Sequence, residues 1–355
     1  MIISLLRRLS VRFFSEIRWF FSRWGSRLRQ SARWSAWFYP PPVVRSKASL
    51  YRDYNHRCFA DWHQQECMLA DQPRMAFYHE AIRRHLKPGD RVIDLGTGTG
   101  ILAAFAARAG VAKVYAIDHS EILDHAETLA VANGISNVEF IDQHSADLSL
   151  DEPVDVIVHE QMGDFLFDEA MIPNVCDLRD RLLKPGGLIL PSRFEFYCEP
   201  VQLHASRRVP FIWELQVHGF DYRSLAESRP EEPDYYRMAS CDLGVVKSFS
   251  GEPAAALEFD LHTVQEANMP KKLEFTRTVT TAGPVDGLAV FMKVRVDDDL
   301  VLSSSPLDAG RAPHWGFRLL RLAHTEAGVG DQLEVMLEVE DWTDPDTWHW
   351  ACQKR

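Results

Sequence analysis

The sequence predicts an α/β fold: a doubly wound, Rossmann-like sheet followed by an antiparallel, β-barrel-like domain that carries a helical insertion. Three observations predict it. Between residues 91 and 190, short apolar runs alternate with helical patterns, which signals a parallel sheet with crossover helices. The run Val92-Ile-Asp-Leu95 leads straight into Gly-Thr-Gly-Thr-Gly100, a glycine loop that opens a helix. Beyond Pro191 the helical patterns give way to short alternating runs separated by Gly, Pro, Asp and Ser clusters.

The chain starts with residues 1–49, an Arg-rich amphipathic segment and a linker. Ile2, Leu6, Leu9, Phe13, Ile17, Phe20, Trp24 and Leu28 recur at helical spacing, with Arg8, Arg12, Arg23 and Arg27 on the other side. Such a helix suits a membrane interface and is too broken by arginine to span a bilayer. An arginine-rich, acid-poor start also fits an organelle transit peptide, an unstructured extension or a misassigned start codon. Trp34 to Pro42, ending Tyr-Pro-Pro-Pro, reads as a stiff linker.

Residues 50–70 show no clear period. In the following helix Met75, Tyr78, Ile82 and Leu86 share a face, and Pro88-Gly89 ends it. Then come strand 91–95, helix 101–109, strand 113–117, helix 121–133 closed by Gly134, and strands 138–141 and 154–159. A helix holding Ile172, Val175, Leu178 and Leu182 follows, and Lys184-Pro-Gly-Gly187 turns into Leu188-Ile-Leu190. Residues 50–190 are thus expected as one domain and 191–355 as a second, with strands at 194–200, 256–261, 272–278, 288–296, 317–322 and 333–339. The long aromatic insertion 206–240, helical around Pro210–Val217, is expected to be functional or an interface.

At 355 residues, 25% charged and 46% hydrophobic, the chain has an ordinary globular composition with room for two cores. The six cysteines form no CxxC pair and no metal-like cluster with histidine, so reduced thiols in a cytoplasmic compartment and no metal site are expected. Residues 1–34 carry +7 and the remainder −19. An acidic body disfavours nucleic acid and favours cationic partners such as basic peptides.

The glycine loop is the main chemical clue. Gly96, Gly98 and Gly100 allow tight turning and close approach to a ligand, and Asp118, ending the second strand, is placed to accept ribose hydroxyls. The spacing is Gly-x-Gly-x-Gly, not the Gly-x-Gly-x-x-Gly of a pyrophosphate site, and bulky Ile101 takes the sixth position. Asp94 would repel a phosphate yet suits an ammonium. S-adenosylmethionine has an ammonium, a ribose and no phosphate, so a methyl-donor site is expected.

After the fourth strand comes His159-Glu-Gln-Met-Gly-Asp-Phe-Leu-Phe-Asp-Glu169. Glu160 would face the cofactor's reactive end, and a turn at Gly163 could bring Glu169 beside it. Two carboxylates on one small loop suit a guanidinium; most loop glutamates, by contrast, are simply solvated.

From about residue 50 onward the chain resembles the protein arginine N-methyltransferases. Four stretches carry the likeness: Glu66-Cys-Met-Leu-Ala-Asp-Gln-Pro-Arg74; the Val92–Gly100 loop with Asp118; Glu160-Gln-Met-Gly with Asp168-Glu169; and Ser303-Ser-Ser-Pro306 through Pro313-His-Trp315. The resemblance implies direct transfer of the donor's methyl to arginine side chains. It implies that Arg74 pairs the donor carboxylate, that Ser145, Ala146, Asp147 and Met162 join the donor site, and that Glu160, Glu169 and His314 are catalytic. His314 would orient a glutamate or relay a proton; a structural histidine is the alternative. Phe211-Ile-Trp213 and Val217-His-Gly-Phe-Asp221 resemble a dimerisation arm, implying a homodimer. The pattern departs from the family at Asn55, Phe59, Gln65, Gln161, Asp164 and Pro313, where tyrosines, a histidine, a tryptophan, a tyrosine and a threonine are usual. Two further readings stay open: methylation of a small amine or a ribosomal protein, and a donor-binding scaffold without turnover.

Overall fold

The computed structural model describes residues 59–240 and 244–355; the amphipathic segment, the proline-rich linker and Asn55 lie outside the described residues. The first helix, α1 (Trp62–Ala70), falls where no period is visible. Its only buried residue is Gln65, so no apolar stripe announces it, and Asp61 caps it by accepting the Gln64 N–H at 3.1 Å. Asp71 then caps α2 (Gln72–His85), accepting the Arg74 N–H at 3.1 Å, with a proline in the first turn. Helix α2 buries Phe77, Tyr78, Ala81 and Ile82.

Strands β1 (Arg91–Leu95), β2 (Lys113–Asp118), β3 (Val138–Asp142), β4 (Val154–His159) and β5 (Leu183–Leu190) form one parallel sheet in the order β3-β2-β1-β4-β5. Helices α3 (Ile101–Arg108), α4 (Ile122–Ala132) and α5 (Met171–Leu182) connect them. The central strands bury both faces: Val92, Ile93, Ile157 and Val158 are at most 1% exposed. Because β1 and β4 are neighbours, strand order reverses between them and a crevice opens beyond their carboxyl ends. There Asp94 lies opposite Val158, and Leu95 opposite His159. The expected turn at 184–187 lies instead inside β5, as a register irregularity against β4.

Antiparallel pairing takes over at β6 (Arg193–Leu203). Together with β9 (Arg237–Ser240), β10 (Val246–Phe249), β11 (Leu257–Asp260), β13 (Gly283–Arg295), β14 (Val301–Ser303) and β15 (Phe317–Ala327) it builds a seven-stranded sheet around β6 and β13. Strands β12 (Lys272–Thr278), β16 (Gln332–Val339) and β17 (Trp348–Lys354) form a second sheet. The sequence pattern missed β9, β10, β14 and β17, which are short or carry mixed polar and aromatic residues.

The insertion is not α-helical. It holds three 3₁₀ turns (Ile212–Glu214, Arg223–Ser228 and Pro233–Tyr236) and a small hairpin of β7 (Gln216–Val217) and β8 (Phe220–Asp221). The hairpin turns through left-handed His218 and Gly219. Aromatic packing anchors its base: Phe211 stacks on Trp213 at 4.7 Å, and the Arg321 guanidinium lies 4.1 Å from the Phe211 ring centroid.

Candidate active site

All three loop glycines have positive φ: 72° at Gly96, 54° at Gly98 and 80° at Gly100. An L side chain would be strained at each, which explains the unbroken alternation. Packing adds a second reason at Gly98 and Gly100, where a Cβ would stand 3.1 Å from Gln65 Oε1 and 3.3 Å from Ala126 Cβ. Gln65 thus rests directly on the glycine loop, its amide held by donation to the Phe59 carbonyl at 2.8 Å.

Asp94 is 1% exposed. Its Oδ2 accepts the Thr97 hydroxyl at 2.6 Å and the Ala103 N–H at 2.9 Å, tying the loop to the first turn of α3. Its Oδ1 is buried without a donor, and burial raises the carboxyl to about 6. Asp118 Oδ1 accepts the N–H groups of His119 and Ser120 and the Ser120 hydroxyl; Oδ2 accepts only the Gly98 N–H at 2.9 Å. Oδ2 therefore keeps free acceptor capacity. The turn Ser145–Asp147 follows β3 on the same edge, and His119 and His144 bring it beside Asp118, their ring centroids 5.5 Å apart.

Arg74 is 4% exposed, and its Nη1 lies 3.2 Å from Glu160 Oε2. Its Nε and Nη1 are buried and make no hydrogen bond. The residues fit a methyl donor of the S-adenosylmethionine type. An acceptor without a donor on Asp94, an Arg74 guanidinium whose Nε meets no acceptor and spare capacity on Asp118 match an ammonium, a carboxylate and a ribose diol in turn.

Glu160 leaves the end of β4, where two bonds fix the backbone. The Tyr78 hydroxyl donates to the His159 carbonyl at 3.1 Å, and His159 Nε2 donates to the Pro191 carbonyl at 2.8 Å. Burial lowers His159 to about 4, so it stays neutral. Beside Arg74, the Trp315 indole N–H grips Glu160 Oε1 at 2.8 Å. Met162 is buried in the core below. Phe165 and Phe167 nail the rest of the loop into the barrel: Phe165 meets Trp348 edge-on at 5.2 Å, and Phe167 lies 4.5 Å from Trp342. The left-handed positions are Leu166 and Ala170, not Gly163. The expected turn does begin at Gly163, whose carbonyl accepts the Leu166 N–H at 2.8 Å, and glycine is needed there because a Cβ would stand 2.1 Å from Asp168 Oδ1.

Among the described residues no hydrogen bond reaches the Glu169 carboxylate. Burial first, then Glu160, Asp168 and Asp164, push it well above the usual range, and only Arg74 opposes them. Burial and Asp164 likewise raise Asp168 to about 6. His314 lies in the same field; burial and Arg74 lower its pKa, favouring the neutral ring. Its backbone N–H, not its ring, makes the structural bond, to Asp71 Oδ2 at 2.8 Å. Asp71 therefore joins the start of α2 to the barrel loop, and Trp315 rather than His314 orients Glu160. Neither Asp71 nor Trp315 stands out in the sequence as a partner of these groups, because their partners lie 243 and 155 residues away in the chain.

A nucleoside crevice without a phosphate cradle, opening beside carboxylates short of one cation, defines a methyltransferase whose acceptor is a positively charged nitrogen group. The comparisons with known proteins agree on the class. Residues 92–187 match a family described as a methyltransferase domain. The chain is 42% identical to protein arginine N-methyltransferase PRMT10 of Arabidopsis thaliana, covering 78% of this chain and 79% of that protein. With PRMT10 of Oryza sativa subsp. japonica it shares 32% identity, covering 83% and 84%. In fold it resembles the Trypanosoma brucei PRMT1 enzyme-prozyme heterotetrameric complex with AdoHcy, with a TM-score of 0.71 at 24% identity over 83% of this chain and 94% of that one. The chain belongs to the protein arginine N-methyltransferase family.

Proposed function

We propose that this chain transfers the methyl group of S-adenosylmethionine to side-chain nitrogens of arginine in proteins or peptides. The observation that carries the reading is the unequal carboxylate pair: Glu160, pinned by Arg74 and Trp315, beside Glu169, which no hydrogen bond reaches among the described residues and whose pKa burial and the neighbouring carboxylates raise. Asp94, Asp118, Arg74, the glycine loop, the 145–147 turn and Met162 would hold the donor, which supplies an electrophilic methyl on a sulfonium when bound. An arginine side chain stays protonated at physiological pH and is a poor nucleophile. Two carboxylates draw its positive charge onto two nitrogens and leave the third with lone-pair character, oriented toward the crevice. The positive charge of the guanidinium adds to that of Arg74 in favouring the ionised form of Glu169. His314, held neutral, and Glu169 are the two groups suited to take up the released proton.

Partners follow from the surfaces. The insertion exposes Ile212, Val217, Phe220 (72%) and Leu225, while α1 and α4 expose Trp62 (64%), Leu129 and Val131 (75%). Two separate apolar patches on one chain suit a homodimer in which the arm of each copy covers the other's α1–α4 face. A Phe220→Asp variant should run as a monomer by multi-angle light scattering. Residues 1–34 would add peripheral contact with anionic membrane to an otherwise cytoplasmic protein; liposome flotation should recover the full chain and not one starting near Trp37.

Mass spectrometry of a lysate incubated with the protein and isotopically labelled donor tests the main reading. Labelled methylarginine is the expected product. Label on another amine or none at all would overturn it.

A further inference from the structure

Arg318 is a guanidinium built into the chain's own acidic loop. It is the second residue of β15, fixed by pairing with Val290 on one side and Ala239 on the other. Its Nη2 lies 2.5 Å from Asp164 Oδ2, and its guanidinium sits 5.3 Å from the Phe165 ring centroid. A second cation near that ring, Arg237 at 5.8 Å, is committed to Asp234 and Asp346.

We propose that Arg318 is a positioning residue of the acceptor site: by pairing Asp164 it clamps the 160–169 loop to the barrel and offsets one of the acidic charges that face Glu169. The proposal rests on the arginine-methyltransferase reading. Four carboxylates share the loop: Glu160, Asp164, Asp168 and Glu169. Arg74 of α2 already serves Glu160, and His314 of the loop before β15 favours the neutral form. That leaves Arg318 of β15 to offset Asp164 by direct contact. Asp164 and Asp168 are in turn two of the groups that raise Glu169. A protonated Glu169 cannot localise a guanidinium's charge, so activity is lost as pH falls through its raised pKa.

The two partners must therefore act with opposite sign. Removing the cation raises the proton affinity of Glu169 and moves the acid limb of kcat/KM to higher pH; removing Asp164 moves it lower. The experiment measures kcat/KM against pH for an arginine peptide with saturating S-adenosylmethionine, a profile that reports the ionisations of the free enzyme. Arg318→Gln, which leaves the Asp164 charge uncompensated, should shift the acid limb up by about half a unit, and Asp164→Asn should shift it down. Arg318→Lys should keep the limb near the wild-type position while lowering kcat, and the double variant should lie between the singles. Shifts of the same sign, or two active single variants with an unmoved limb, would overturn the proposal. Should Arg318→Gln fail to fold, the downward shift in Asp164→Asn and the unmoved limb in Arg318→Lys still decide it. Absence of turnover in the wild-type protein would instead strike the methyltransferase reading itself.

Discussion

Replacing Glu160 with glutamine separates the two demands placed on Arg74. In the structure the Arg74 guanidinium, 4% exposed, is paired to Glu160 while two of its nitrogens make no hydrogen bond. Glu160→Gln keeps the size and an oxygen for the Trp315 N–H but removes the charge that balances Arg74. Leaving one member of a fully buried pair alone costs about 3–5 kcal/mol. Because glutamine still accepts a hydrogen bond and Glu160 keeps partial solvent contact, about 2 kcal/mol is expected here. The donor carboxylate would return a counter-charge to Arg74. S-adenosylmethionine should therefore raise the Tm of the variant by more than it raises that of the wild type, with donor affinity equal or tighter by calorimetry. Turnover should nevertheless fall on the order of 10²-fold, the scale of losing one preorganised electrostatic partner. Thermal shift with and without donor, calorimetry and a labelled-methyl assay on one preparation give all three readouts. Turnover within about threefold of wild type would refute the reasoning, as would a smaller donor-induced shift in the variant.

Trp315→Phe keeps the ring but deletes the N–H that orients Glu160; kcat/KM should drop about tenfold or more with unchanged donor affinity, since a hydrogen bond to a charged group is worth about 1.5–3 kcal/mol. Asp118→Ala should weaken donor binding in calorimetry by about 10–100-fold on the same scale, because it removes both the ribose acceptor and the bond that holds Gly98; equal affinity would remove Asp118 from the donor site. Gly163→Ala forces Asp168 out of its place, so turnover should collapse while calorimetry still shows donor binding; a fully active Gly163→Ala would mean that the loop is not held as described.

What the sequence makes legible here follows from how locally each feature is encoded. Gly96, Gly98 and Gly100 are readable because each needs positive φ within one short turn, and Asp118 because a strand end fixes its distance from that turn. Helix α1 is not readable: it buries a glutamine against a glycine loop, and an apolar-period argument has nothing to detect. Gly163 is legible as a turn position, where the Leu166 N–H donates to its carbonyl at 2.8 Å, but the Asp168 carboxylate packed on its α-carbon is not visible in the sequence. The acidic loop shows the limit most clearly. Its spacing announces several carboxylates, and a solvated loop would show the same spacing. What separates the two cases is the set of cations and donors that meet them: Arg74 from α2, Trp315 and Arg318 from the barrel. Those contacts join residues more than 80 positions apart, and strand alternation says which side chains face inward without saying what they face. The function of the loop is thus a property of the barrel's closure over the sheet. Changes at Trp315 or Arg318 should accordingly alter the chemistry of Glu160 and Glu169 while leaving the glycine loop and donor binding untouched.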